Sequence, residues 1–212
     1  MKDRSIVLDI IRYRRSIRQY DPKPIEAWKL DAILEAARLA PSSSNSQPWR
    51  IIIVTDPALK AQLGKATPAN IKSYPWMNDT PVILALCSVK SKEHKIGQLI
   101  GKNYEMVDMG VVGEHIVLTA TELGLATCWI GWFHKTKTKR ILKIPRLWKV
   151  VCLIPIGYPK KNNISFEEMV AKYKEEGIQQ VGEPGIGDKG AKIRRPLDEI
   201  VFYNQMEKKN QG

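Results

Sequence analysis

Pro41-Ser42-Ser43-Ser44-Asn45-Ser46-Gln47-Pro48-Trp49-Arg50-Ile51-Ile52-Ile53-Val54 changes character half-way along. Its first half is polar and rich in turn formers, so it reads as a loop. Its second half is a continuous apolar run, which predicts a strand buried on both faces. Upstream, Leu30, Ile33, Leu34 and Ala37 recur at helical spacing and predict a helix from about Ile25 to Leu39, ended by Pro41. Ser5 caps an earlier helix that runs to about Tyr13, with Ile6, Ile10 and Tyr13 on one face. Downstream, Asp56-Pro57 is the start signal of a third helix. Val82 to Val89 predicts a second buried strand, and Asn103 to Leu123 a long helix stopped by Gly124. Thr127 to Phe133 and Lys149 to Ile156 read as further strands. Helices and strands therefore mix without the regular alternation of a doubly wound fold. The expected class is α+β with a mostly antiparallel or mixed sheet, in a single domain over residues 1–212.

The remaining stretches are irregular. Residues 65–80 hold several breakers and suit a short lid. Ser165-Phe166-Glu167-Glu168 has capping-box spacing. Residues 177–190 are glycine-rich and read as a connector, followed by an extended C-terminal arm near 196–212. Gly110 and Gly113 on the long helix admit close approach, either by a neighbouring helix of a partner or by packing within one subunit.

Composition narrows the function classes. Apolar residues make up 43% and charged residues 26%, as in an ordinary globular protein. The apolar runs are strand-length, well short of the ~20 residues that cross a bilayer. The N-terminus has no signal-peptide core, so a cytoplasmic location and no membrane partner are expected. Cys87, Cys128 and Cys152 are odd in number and set among apolar residues, which predicts buried free thiols. His94, His115 and His134 are isolated, so spacing suggests no metal cluster. The net charge of +12 favours anionic partners such as phosphate cofactors or nucleic acid. Basic clusters lie at Arg12–Arg18, Lys135–Lys149 and Lys189–Arg195, the middle one reading as a solvated helix face. No nucleic-acid motif accompanies the charge, so nucleic acid is not expected as a partner.

Two stretches point to chemistry. Arg14-Arg15-Ser16-Ile17-Arg18 puts three guanidiniums and a hydroxyl within five residues at a helix end. Guanidinium forks match phosphate oxygens, and an anion relieves their mutual repulsion. The Pro41–Trp49 loop offers hydroxyls and amides to the edge of a polar heterocycle. Gly182-x-x-Gly185-x-Gly187 follows no strand, and no Gly-x-Ser-x-Gly occurs. Donors for an anion and a heterocycle, without an evident nucleophile, suit a cofactor that performs the reaction itself.

Arg14-Arg15-Ser16-Ile17-Arg18-Gln19-Tyr20 and Ala40-Pro41-Ser42-Ser43-Ser44-Asn45-Ser46-Gln47-Pro48-Trp49 resemble the N-terminal signatures of the FMN-dependent nitroreductase family. Glu122 to Gly131 resembles the family's central helix end and following strand, Ile154 to Pro159 its last sheet strand, and Lys192 to Ile200 its C-terminal phosphate-contacting segment. The resemblance covers almost the whole chain in the right order. It implies an α/β sandwich with a central antiparallel sheet, intertwined as a homodimer that holds FMN between subunits.

The same resemblance implies roles for individual residues. Arg14 contacts the FMN phosphate, Arg15 and Ser16 the phosphate or ribityl chain, and Arg18 the N1–C2 edge of the ring. Arg194 is a late phosphate contact, with Lys192 as helper. Pro41, Ser42, Ser43 and Asn45 reach the dimethylbenzene side from the other subunit. Ile130 and Gly131 lie beside N5, and Trp49, Trp129 and Trp132 are candidates to pack near the ring. No side chain acts as a catalytic acid or base. The implied activity takes hydride from NADH or NADPH and passes electrons to an electron-poor small molecule by a ping-pong mechanism. Trp129-Ile130-Gly131 lacks the acidic residue that precedes the glycine in well-known bacterial members. No Glu-x-x-x-Tyr lid supports the dehalogenating branch, which ranks below nitro or quinone reduction.

Overall fold

A computed structural model describes residues 5–67, 73–89, 104–160 and 194–204. The expected helix from Ser165, the connector at 177–190 and Lys192 lie outside the described residues, as do parts of the lid and the arm.

Helix α1 (Ile6–Tyr13) begins as its sequence requires, with the Ser5 hydroxyl accepting from Leu8 N. A two-residue strand β1 (Tyr20–Asp21) follows, then α2 (Ala27–Arg38). The loop at 41–48 contains a single 3-10 turn (Ser43–Asn45) before β2 (Trp49–Val54). Asp56 caps α3 (Pro57–Gly64) with proline at its first position. After a 3-10 turn (Pro75–Met77) come β3 (Val82–Ser88) and the long α4 (Tyr104–Glu122). The described chain continues through β4 (Ala126–Thr127), α5 (Lys135–Ile141), β5 (Lys149–Pro159) and a short α6 (Leu197–Ile200).

The sheet runs β1-β5-β3-β2, with β4 also on β5, and every strand pairing is antiparallel. All seven residues of β3 are buried, because apolar layers cover both of its faces. Leu84 and Leu86 pack with Ile33 and Ala37 of α2 and with Met109, Val112 and Ile116 of α4. The alternate residues Ile83 and Ala85 face Leu63 of α3, Met77, Phe133 and Ile144. The expected α+β sandwich is therefore present, with a thick helical layer on one side and a thinner one on the other.

Three local expectations need correction. Among the described residues β2 lies at the end of the sheet and pairs with β3 alone, and Ile53 is exposed rather than buried on both faces. The run from Thr127 to Phe133 is not a continuous strand. It pairs at Ala126–Thr127, leaves the ladder, and touches it again through an isolated Ile130–Leu153 bridge. Ile6 was expected on the packed face of α1, yet it is 68% exposed along with Val7 and Ile11, while Ile10 is buried. The three cysteines are buried free thiols, as expected. Burial pushes Cys87 up to about 11 and Cys152 up to about 12, which leaves both as unreactive thiols near neutrality.

Candidate flavin site

The basic segment after α1 is held in place by backbone and by one buried tyrosine. Ile17 N donates to Thr127 O at 2.9 Å, and Ser16 forms a parallel bridge with Thr127. Tyr20, 1% exposed, donates its hydroxyl to Ile17 O at 2.7 Å. Gly157 lets this packing close: a Cβ there would lie 2.5 Å from Pro81 Cδ and 3.1 Å from Tyr20 Cδ1. Residues 14–18 are thus an extended ribbon stitched to β4.

Along that ribbon the side chains divide. Arg15 and Ile17 line a cleft with Tyr13, Thr121, Leu125 and Ala126. The Arg15 guanidinium turns back to donate to Arg12 O and Arg14 O, satisfying carbonyls at the end of α1. Arg14, Ser16 and Arg18 alternate with these two. Among the described residues, the Arg14 guanidinium and the Ser16 hydroxyl have no hydrogen bond or ion pair, so both are available to a ligand. Thr127 Oγ1, at the bridge, is buried without a partner.

From Thr127 the chain runs four residues to Gly131, a span of at most about 14 Å. Ile130 N donates to Leu153 O at 2.9 Å and Leu153 N to Ile130 O at 3.0 Å, so the Ile130 amide is spent on the sheet. Gly131 is exposed, nothing lies within 4 Å of a Cβ built on it, and its N–H has no partner among the described residues. Of the expected pair, only Gly131 keeps an amide free to meet a ligand. The bridge to Thr127 therefore sets the unengaged Arg14 and Ser16 groups beside one end of the stretch 126–131, whose other end carries the open Gly131 amide.

The polar loop at 41–48 is built differently. Ser44, Asn45 and Gln47 all have positive φ (52°, 51° and 43°), a conformation that costs each of them on the order of 1 kcal/mol. Side chains offset part of that cost. Ser42 Oγ accepts from Gln47 N at 2.9 Å, and Gln47 Nε2 donates to Asn45 Oδ1 at 3.0 Å. The anchor is Asp108 of α4, 4% exposed, whose carboxylate accepts from Ser43 N at 3.0 Å and from Ser46 Oγ at 3.4 Å. Within one chain the loop rests on α4, and no hydrogen bond of the described residues joins it to Arg14–Arg18.

The second half of the expected lid is anchored to this region. Tyr74 donates its hydroxyl to Trp132 O at 2.9 Å, and Trp76 sits between Tyr74 and Tyr20 with ring centroids 5.8 and 6.0 Å away. Burial raises the Tyr74 hydroxyl above its ordinary range, with Cys128 adding to the shift and the Arg18 charge opposing it. Tyr74 therefore stays a donor at neutral pH.

A model of the nitroreductase family matches residues 11–158. This chain belongs to the nitroreductase family. The FMN reductase (NAD(P)H) of Bacillus subtilis strain 168 is 30% identical over 167 residues, which cover 72% of this chain and 66% of that protein. A nitroreductase family protein of Clostridium novyi NT has a similar structure, with TM-score 0.69 and 31% identity over 77% of this chain and 91% of its own. An FMN-dependent nitroreductase from Clostridium difficile R20291 superposes with TM-score 0.63 at 26% identity, covering 81% of this chain and 98% of that one.

In this nitroreductase-family chain the three candidate tryptophans part company. Trp49 is buried in the core. Trp129 packs across α4 at Gly113, where a Cβ would come within 2.0 Å of its indole. Trp132, 68% exposed beside Gly131, is the one left at the site. Arg194 is exposed at the start of the arm, and no hydrogen bond or ion pair joins it to Arg14. Asp108 escaped the motif reading, and Tyr20 stood in the motif without a role. Asp108 had a legible signal, a carboxylate inside the apolar stripe of a buried helix, which requires a partner.

Proposed function

We propose that this chain is an FMN-dependent oxidoreductase that takes hydride from NAD(P)H and passes electrons to an electron-poor small molecule, such as a nitroaromatic or a quinone. The observation that carries the reading is the ribbon at 14–18, with its free Arg14 and Ser16 groups, stitched to Thr127, from which the open Gly131 amide is at most about 14 Å of chain away. That span suits an elongated cofactor with an anionic tail and a hydrogen-bonding ring. The names of the relatives, an FMN reductase and an FMN-dependent nitroreductase, support the choice of FMN.

Bound FMN would supply a ring atom, N5, that accepts hydride and later gives electrons up. The protein's part is binding and orientation. Arg14 and Ser16, joined by Arg194 from the arm, would hold the phosphate. Arg18 would place fixed positive charge near the pyrimidine edge, where reduction leaves negative charge. Gly131 N–H would donate to the ring, and the absence of a side chain keeps that face open. Donor and acceptor would then use the same face in turn, which gives ping-pong kinetics.

The reading includes a homodimer. The Pro41–Asn45 loop is fixed to α4 by Asp108, next to the exposed Val107 and two residues before the exposed Gly110. A second α4 crossing there would bring each loop to the other chain's flavin.

FMN titration of the flavin-stripped protein tests the proposal. Arg14→Ala combined with Arg194→Ala removes two charged contacts, each worth about 1.5–3 kcal/mol, or roughly tenfold to a hundredfold in affinity. An unchanged FMN affinity in the double variant would refute the assignment.

A further inference from the structure

We infer that the cleft between α3 and α5 binds the 2′-phosphate of NADPH, and so makes the phosphorylated nicotinamide nucleotide the preferred hydride donor; this rests on the flavin reading above. The cleft, about 310 Å³, is lined by Gln62, Lys65, Ala66, Lys137, Arg140 and Ile141. Lys65 follows directly on α3, and Lys137 and Arg140 are three apart on α5, hence on one face. Three cations thus face one concavity, and no carboxylate is among the described residues that line it. Among the described residues, none of their side chains has a hydrogen bond or ion pair. Neighbouring Lys139 is different, since its ammonium donates to Arg146 O at 2.7 Å.

Like charges gathered without a counter-ion repel one another, and a dianion relieves that repulsion. A phosphomonoester carries about −1.5 to −2 charge near neutral pH and offers three acceptor oxygens. The carbonyls that end α3 do not oppose it at full strength, because Lys65 N already donates to Ala61 O and Gln62 O.

The cleft lies at the right place for a donor whose nicotinamide is at the flavin. His134 N donates to Ala66 O at 2.7 Å, which ties the end of α3 to the loop that leaves Gly131. The three residues from Gly131 to His134 span at most about 10 Å. Exposed Trp132 stands on that path and presents a flat apolar ring to a nucleotide crossing it. NADH lacks the phosphate that the three cations would meet.

The test compares the FMN-loaded wild type with the triple variant Lys65→Gln/Lys137→Gln/Arg140→Gln. Calorimetry measures binding of adenosine 2′,5′-bisphosphate and of 5′-AMP, which differ in the 2′-phosphate. The wild type is expected to bind the bisphosphate at least tenfold tighter, and the variant to bind both alike. The ratio of kcat/KM for NADPH over NADH is expected to fall at least tenfold in the variant, with FMN affinity retained. Equal binding of the two nucleotides by the wild type overturns the proposal, as does a 2′-phosphate preference that survives in the variant. The nucleotide measurement is repeated without flavin. A protein that never binds FMN would refute the flavin reading, and a bisphosphate preference in that protein, lost in the variant, would still support the phosphate cleft.

Discussion

Asp108 helps to set the shape of a loop that lies 65 residues before it in the chain. A carboxylate that is 4% exposed must be satisfied by hydrogen bonds, and it obtains them from Ser43 N and Ser46 Oγ. Those bonds hold a loop with three positive-φ residues, none of them glycine. Asp108→Ala leaves the Ser43 amide without its charged acceptor, at a cost of about 1.5–3 kcal/mol. If the loop covers the flavin, FMN affinity should fall in Asp108→Ala and recover in part in Asp108→Asn, which keeps one acceptor. Equal FMN affinity in all three proteins, measured by fluorescence titration, would separate the loop from the cofactor. The sequence displays the hydroxyls and amides of this loop but not their distortion, since the acceptor that organises them lies 65 residues away.

At the scale of the element, the two glycines of α4 do different things. Gly113 is buried against the Trp129 indole, with 2.0 Å between a would-be Cβ and the ring. Gly113→Ala gains about 1 kcal/mol of helix propensity but forces an aromatic ring out of a packed site. Overpacking of this kind costs about 1–3 kcal/mol, and this contact is at the severe end. A lowered thermal midpoint is expected, by a few degrees; a raised one would mean that Trp129 moves aside at no cost. Gly110, about one turn earlier, is exposed and meets nothing within 4 Å. The helix itself was legible from its apolar repeat and from Gly124, whose φ of +73° ends it. Which glycine serves packing inside the chain was not legible, because their neighbours come from other elements.

At the scale of the whole molecule, the exposed apolar residues gather on α1 (Ile6, Val7, Ile11), on the first turns of α4 (Met106, Val107) and on the arm (Phe202, Tyr203). Single exposed apolar side chains are ordinary, but several on each of three elements mark an interaction surface. Gly110→Arg tests the proposed dimer. The chain has room for the new side chain, so the protomer should fold, whereas a second helix crossing at that point would be repelled. Sedimentation is expected to shift from dimer to monomer with loss of bound FMN. A variant that stays dimeric and yellow would place the interface elsewhere. The basic ribbon and the segment around Arg194 were both visible as motifs, but local sequence does not show whether they meet.

Local sequence was enough to read the helix starts at Ser5 and Asp56, the buried strand β3, the buried cysteines and the basic character of residues 14–18, because each shows in residues adjacent in the chain. Tertiary structure alone decided that Ile130 gives its amide to Leu153 while Gly131 keeps its own, and that Lys65 meets Lys137 and Arg140 across a cleft. Hydrogen-bond partners and charge clusters of that sort are set by the sheet's register and by packing between distant segments, which no local pattern encodes.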